Sequence, residues 1–562
     1  MSLSRTIRAV TTLCAVAALA LPAAAAPARG GPAWCGTERD GARDAVFAHL
    51  EAQARRGPRA QEALSARDVG NVAVLVDEGD LALLANPFDL QGSGLRFVGG
   101  EPYSVTRLSL PASAAPGTPL SLGDDDATRV TLPFGFSFYG HEYSEVFVNS
   151  DGNLTFGGAE SSSTARTVGR LVGGPPRIAP LLADLDPSAG GRVETRSAGG
   201  AFTVAWVEVP RFEQADKNSF EVTLHADGRV EFVYGSLLAS GLDEGAVGIA
   251  PGAGGAVAAI DFASAAAAGG PGALVEGFRA EDAIDAVATA RKFYATHGDD
   301  YQQLVVFTTR RLTESGTLAY ELTVKNADSG IGVAPQDRSS AYGSAGRLES
   351  FAFMDLVGKY PADLELRFNF EDSALAVAAH EVGHRWLAGA RFLDAGRVSD
   401  ELLGRDQVHW SFFMNTLASH LEGNEIEDLG GNQFRTVEAG VRYSPLDQYL
   451  MGLRPADEVP PFFIVRAPSA PNAETGRPPA RGVSFAGQRK DVSVQDVIAA
   501  LGPRSPAPGP KSEAWRQAWI LVGVGGAPDA ASIERVERFR QAFEAFFARS
   551  TDGRLPLDSA LR

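Results

Sequence analysis

The sequence predicts a multidomain chain, an all-β, sandwich-like N-terminal module followed by an α+β domain. Three observations carry this. A chain of 562 residues is several times the usual domain of about 100–200 residues, so more than one folded unit is expected. Residues 101–275 divide into short alternating apolar runs separated by Gly, Pro, Asn and Asp, as sandwich-type β domains do. Beyond residue 280 a helix, several short strand runs and a second helix follow one another, which is α+β order.

The chain opens on "MSLSRTIRAVTTLCAVAALALPAAAAPARG", with Arg5 and Arg8 ahead of an apolar run from Ala9 to Leu21 and then small residues. That is the design of a secretory signal over 1–26, with cleavage expected near Ala26. "TTLC" lacks the small residue that precedes the cysteine of a lipoprotein signal, so no lipid anchor is expected. Of the two cysteines only Cys35 then stays in the mature chain, and no internal disulfide can form. Residues 27–100 read as a leader, either a pro-region or a packing extension, with one helical stretch ("ERDGARDAVFAHLEAQARR") and strand-like runs such as "NVAVLVDEG".

Within 101–275, "FEVTLHADGRVEFVYG" alternates Phe220, Val222 and Leu224, turns at Ala-Asp-Gly, and alternates Val230, Phe232 and Tyr234 on the return. A β-hairpin is expected there. Asn149, Asp151 and Asn153 in "VNSDGNLTF" read as turn formers bonded to their own backbone. Oxygen ligands for calcium cluster there and at Asp184 and Asp186, but no metal is expected. The segment "ASAAAAGGPGALVEG", 263–277, is short of anything to bury and reads as a flexible boundary.

The domain over 280–562 begins with the amphipathic "EDAIDAVATARKFYATHG" and the strand runs "YQQLVVFTT", "LAYELTVKN" and "ESFAFMDLV". Later, "SVQDVIAALGP" has Ser493 at an N-cap, Asp496 three residues on and Gly502 at the stop. "SIERVERFRQAFEAFFARS" sets Ile533, Val536, Phe539, Phe543 and Phe546 on one face. The C-terminal part is therefore expected to be mostly helical.

Composition narrows the function. The apolar fraction of 44% and charged fraction of 21% are those of globular protein. A net charge of −18 with no basic cluster argues against nucleic acid and against an anionic membrane surface. No segment after the signal reaches the ~20 apolar residues of a membrane span.

The chemistry is concentrated in "AHEVGHRW", 379–386, which holds two of the chain's eight histidines. The surrounding "EDSALAVAAHEVGHRWLAG" predicts a helix that Asp372 or Ser373 can cap. His380 and His384, one turn apart, then share a face and can reach one metal ion. Glu381 lies a quarter-turn away, where a carboxylate can handle a proton of water at that metal. This is the zincin H-E-x-x-H signature. Two surface histidines on an ordinary helix are the plain alternative, but histidine is scarce here and Gly383 is small enough to let another segment approach.

A catalytic zinc needs a third protein ligand. After His384 the chain reads "RWLAGA", which excludes the metzincin extension because Leu387 and Ala390 stand where it requires glycine and histidine. The candidates lie in "DELLGRDQVHWSFFMNTLASHLEGNEIEDLGGNQ". His409 is preferred, because it enters an apolar aromatic run where an unpartnered imidazole would be costly. His420, Glu422, Asp400, Glu401 and Glu425 remain open alternatives. "RYSPLDQYLMGL" predicts a short capped helix with Ser444 at N-cap, Pro445 at N1, Asp447 at N3 and Gly452 at the end. Tyr443 or Tyr449 could add a phenol at the site and Met451 an apolar floor.

Two resemblances add to this reading. "VTLPFGFSFYGHEYSEVFVNSDGNLTFGG", "RIAPLLADLDP" and "FTVAWVEVP" resemble the nidogen-like extracellular β domain over roughly 130–250. "HEVGHRW", "HWSFF", "LEGN", "FRT" and "YSPLDQYLMGL" resemble secreted bacterial zinc metallopeptidase-like proteins over about 285–562, which implies a zincin-like catalytic domain. The expectation is a secreted, extracellular or periplasmic bacterial endopeptidase with Zn2+ on His380, His384 and His409, and with Glu381 as general base and then acid. Its partners would be a protein or peptide substrate and, through the β domain, an extracellular matrix or cell-surface ligand. The alternative is a secreted adhesion or surface-binding protein with a structural metal site. An open site in a cleft favours the enzyme and a closed four-ligand site favours the alternative.

Overall fold

The computed structural model describes residues 33–56, 66–99, 102–109, 115–162, 165–235, 242, 244–264, 268–270, 272–313, 315–469 and 475–562. The expected signal lies outside them.

The region that carries the histidine helix is built on one mixed sheet. Its strands run in the order Trp34–Cys35, Thr317–Thr323, Ser350–Leu356, Gln303–Thr308, Trp515–Val524, Val72–Asp77 and Ala66–Val69. The central strands are apolar on both faces, as parallel strands covered on both sides must be. Val72, Val74, Val305, Phe307, Ala352, Met354 and Leu521 point to one face and meet the helices Ala374–Gly383 and Ala530–Ser550. Their neighbours Ala73, Leu75, Leu304, Val306, Phe351, Phe353 and Ile520 point to the other, toward Gly41–Arg56 and Ala286–Tyr294. The period of two along each strand thus makes three layers from one sequence pattern.

The β module is two sheets face to face. One holds Ala127–Phe138, His141–Asn149, Asn153–Thr155, Arg177–Leu182, Glu244–Ala250, Ala273–Arg279 and Val257–Ala259. The other includes Gly94–Val98, Tyr103–Leu108, Val230–Tyr234, Asn218–His225 and Ala201–Val209. Phe97, Val105, Val222 and Phe232 from one sheet meet Phe136, Val146, Ile178 and Ile249 from the other in a single core. The hairpin pairs Phe220 with Tyr234, Val222 with Phe232 and Leu224 with Val230. Asn149 donates to Asn153 Oδ1 at 2.9 Å, while Asp151 is gripped by Arg166 at 3.0 Å and Arg170 at 2.7 Å.

Several expectations need correction. The C-terminal part is not mostly helical, because the hairpin of Asn424–Gly430 with Gln433–Ala439 and the pair Phe462–Arg466 with Gln488–Val492 intervene. Aromatic and β-branched runs such as Phe462 to Val465 favour strand over helix. The boundary at 263–277 lies too early, since Ala273–Arg279 is a buried strand paired along Glu244–Ala250. The run of small residues there fits close backbone packing; at Gly272 a Cβ would stand 2.0 Å from the Ala256 carbonyl oxygen. The leader over 27–100 is shared between both units. Val72–Asp77 lies parallel to Trp515–Val524 inside the main sheet, and Gly94–Val98 belongs to the β module. A parallel partner more than 400 residues away leaves no local pattern to read.

Candidate functional site

The helix Ala374–Gly383 begins at Ser373, whose side chain accepts from Ala376 N, and all ten of its residues are buried. Small alanines let it lie close on the sheet, and Ser373 rather than Asp372 is the cap. His380 is on its last turn and His384 is its C-cap, so both imidazoles stand at the end of a fixed element. At Gly383 a Cβ would stand 2.9 Å from the Tyr443 ring and 3.0 Å from Leu421. Glycine is what lets those two segments reach the helix.

Each of three histidines is held through Nδ1 by a backbone carbonyl. His380 Nδ1 lies 2.7 Å from the His420 oxygen, His384 Nδ1 3.2 Å from the Leu387 oxygen, and His409 Nδ1 3.0 Å from the Arg405 oxygen. A carbonyl can only accept, so in each case Nδ1 carries the proton and Nε2 presents a lone pair. The Nε2 atoms of His380 and His384 are 3.0 Å apart, with no hydrogen to place between them. Two lone pairs at that distance want a shared cation. Burial pushes His380 down to about 3 and holds His384 and His409 well below the usual histidine range. All three are then neutral at pH 7, as metal ligands must be.

A fourth donor arrives from the start of the chain. Cys35 Sγ lies 3.4 Å from His384 Nε2, and one ligand atom from each of Cys35, His380, His384 and His409 falls within 4.8 Å of the others. Bond lengths of about 2.0–2.1 Å to nitrogen and 2.3 Å to sulfur put tetrahedral neighbours about 3.3 Å (N to N) and about 3.6 Å (S to N) apart. The separations of 3.0 and 3.4 Å found here are slightly tighter than that. Three imidazoles and a thiol are a donor set suited to zinc.

Glu381 faces the same point. Its Oε2 accepts from Thr37 Oγ1 at 3.1 Å and from Cys35 Sγ at 3.4 Å, and burial pushes its carboxyl up to about 8. Arg405 stands over the Trp34 ring and donates to the Cys35 carbonyl at 2.9 Å. The same guanidinium donates to His409 Nε2 at 3.1 Å and is balanced by Glu422 at 2.5 Å.

Of the residues singled out by sequence, His380, Glu381, His384 and His409 come together. His420 points to Ser550 Oγ at 3.0 Å and serves the site through its carbonyl. Glu422 is 3.7 Å from His409 and engaged by Arg405. Glu401 is engaged by Arg466; Asp400 and Glu425 are likewise not among the four clustered residues. Tyr443 and Tyr449 do not offer their phenols to the site. The first donates to the Ala379 carbonyl at 2.5 Å and the second accepts from Arg504 N at 3.2 Å. Met451 sits in the core. Sequence reasoning missed Thr37, Arg405 and the place of Cys35. The one available clue is that Cys35 is the sole cysteine outside the expected signal.

A family model described as NIDO related matches residues 104–292. It spans most of the β module and runs into the helix Ala286–Tyr294, in agreement with the nidogen-like resemblance, and contains none of the four clustered residues. No solved structure matches the chain.

Proposed function

We propose that the chain is a secreted zinc endopeptidase. The observation that carries the reading is the convergence of three imidazoles, each fixed by a carbonyl behind it, beside a buried glutamate; His409 Nε2, which here accepts from Arg405, would exchange that bond for the metal. His380, His384 and His409 would hold the ion. Bound there, zinc supplies Lewis acidity, which lowers the pKa of water and polarises a carbonyl. Glu381 would take a proton from the attacking water and deliver it to the departing amine. The β module would hold the enzyme to an extracellular matrix or cell-surface ligand.

A second reading rests on Cys35. Four protein donors make a closed set, and closed sets are usual in structural zinc sites. Against it, a structural site has no use for a buried carboxylate aimed at its ligands. The test uses Cys35→Ala, which opens the fourth position under either reading, with and without Glu381→Gln. The peptidase reading predicts one zinc per chain in both forms, and hydrolysis of an unfolded protein that falls about 100- to 10,000-fold on loss of the base. Zinc in both with no hydrolysis in either leaves the structural reading.

A further inference from the structure

We infer that residues 33–37 are a built-in plug: Cys35 is a displaceable fourth ligand, and the segment around it occupies the place of an extended substrate chain. This rests on the peptidase reading and adds to it a latent state and a substrate class.

The segment lies on the sheet edge as a substrate would. Trp34–Cys35 runs parallel to Thr317–Thr323, the next strand in. Trp34 N donates to the Gly316 carbonyl at 2.7 Å and Gly36 N to the Ala319 carbonyl at 2.9 Å. Without it, Thr317–Thr323 would be the edge strand, with open backbone groups beside His380 and Glu381. An open edge next to a reactive centre receives an unfolded polypeptide by strand addition. Gly36 is needed for the close approach, since a Cβ there would stand 2.9 Å from Thr317 Cγ2.

The contacts are those of an occupied site. Cys35 Sγ and Thr37 Oγ1 both meet Glu381 Oε2, so the plug engages the proposed base as well as the metal position. Thr37 Oγ1 in turn accepts from Glu321 N at 2.7 Å, using an edge amide. Asn369 clamps Ala33 through both its N–H and its carbonyl, at 3.0 and 2.9 Å. The space left among Trp34, Cys35, Asp372, His380, Glu381 and Glu422 is about 20 Å³, enough for about one water. No peptide enters while the plug is in place. On ligation Cys35 loses its thiol proton to solvent and binds as thiolate; on release it regains one, so the exchange needs no redox partner.

The following helix is an anchor rather than part of the plug. Within Gly41–Arg56, His49 pairs with Asp285 at 2.9 Å and Asp44 accepts from Thr167 Oγ1 at 2.8 Å, tying the helix to both units. Activation therefore requires movement of residues 33–37, not loss of the whole leader.

The test uses the full mature chain. With Co2+ in place of zinc, the wild type should show thiolate-to-cobalt charge-transfer absorption that Cys35→Ala lacks. Cys35→Ala, and wild type whose thiol is capped by an organomercurial, should cleave an unfolded protein at least about tenfold faster than untreated wild type. If Cys35→Ala fails to fold, the capped wild type decides. Equal cleavage by treated and untreated chains, without the thiolate band, overturns the plug and leaves the peptidase reading standing. A thiolate band with no cleavage by any form overturns the peptidase reading, and the plug with it, in favour of a structural centre.

Discussion

Gly383→Ala probes the packing that sets the site. Replacing a helical glycine by alanine gains up to about 1 kcal/mol in helix propensity. Here the new methyl would stand 2.9 Å from Tyr443 Cε1 and 3.0 Å from Leu421 Cδ2. Tyr443 has little room to yield, because its hydroxyl is bonded to the Ala379 carbonyl and its ring packs against His420 and Phe547. Overpacking of this kind costs about 1–3 kcal/mol, so the clash outweighs the propensity and a net loss of about 1 kcal/mol follows. The strain falls on the segment whose His420 carbonyl holds His380 Nδ1. Loss of such an outer partner lowers metal affinity about 10- to 100-fold. The assays are urea unfolding of the zinc-free chain and zinc competition against a chromophoric chelator. A variant about 1 kcal/mol more stable with unchanged zinc affinity would refute the reasoning.

His409→Ala should weaken zinc binding by more than about 100-fold, whereas His420→Ala should keep the metal, since the carbonyl remains, and lower stability through the lost contact with Ser550; metal content and unfolding midpoints separate the two. Glu276, whose Oε2 accepts from Phe262 N and whose Oε1 accepts from Arg55, is pushed by burial from 4.5 up to about 7. The folded chain therefore holds this proton more tightly than the unfolded one. Its stabilising contribution is full below pH 4.5 and disappears as pH rises to about 7, by about 3 kcal/mol. Glu276→Gln should remove that part of the pH dependence in urea titrations at pH 4.5 and 7; an unchanged slope would refute it.

Local patterns carried much of this. The capping boxes at Ser444 with Asp447 and at Ser493 with Asp496 stand where the residues indicated. Val536, Phe539 and Phe543 are buried, with Ile533 and Phe546 packed at the edge of the same core. The pair His380 and His384 is legible in helical spacing alone, while the cost of burying an imidazole only favours His409 over the other candidates, and it is the fold that sets it beside them. What escaped depends on long-range pairing. Nothing near Val72 signals that it will lie beside Trp519, and nothing near Cys35 signals His384, 349 residues away. The strand pairs after residue 420 are short and lie between strongly patterned helices, so local pattern favours a helical C-terminal part.

The most direct measurement is X-ray absorption at the zinc edge of the full mature chain, with metal content determined on the same sample. The account predicts one zinc per chain with three nitrogen neighbours at about 2.0–2.1 Å and one sulfur at about 2.3 Å. A chain that takes up no zinc, or holds it without imidazole nitrogen, would contradict it.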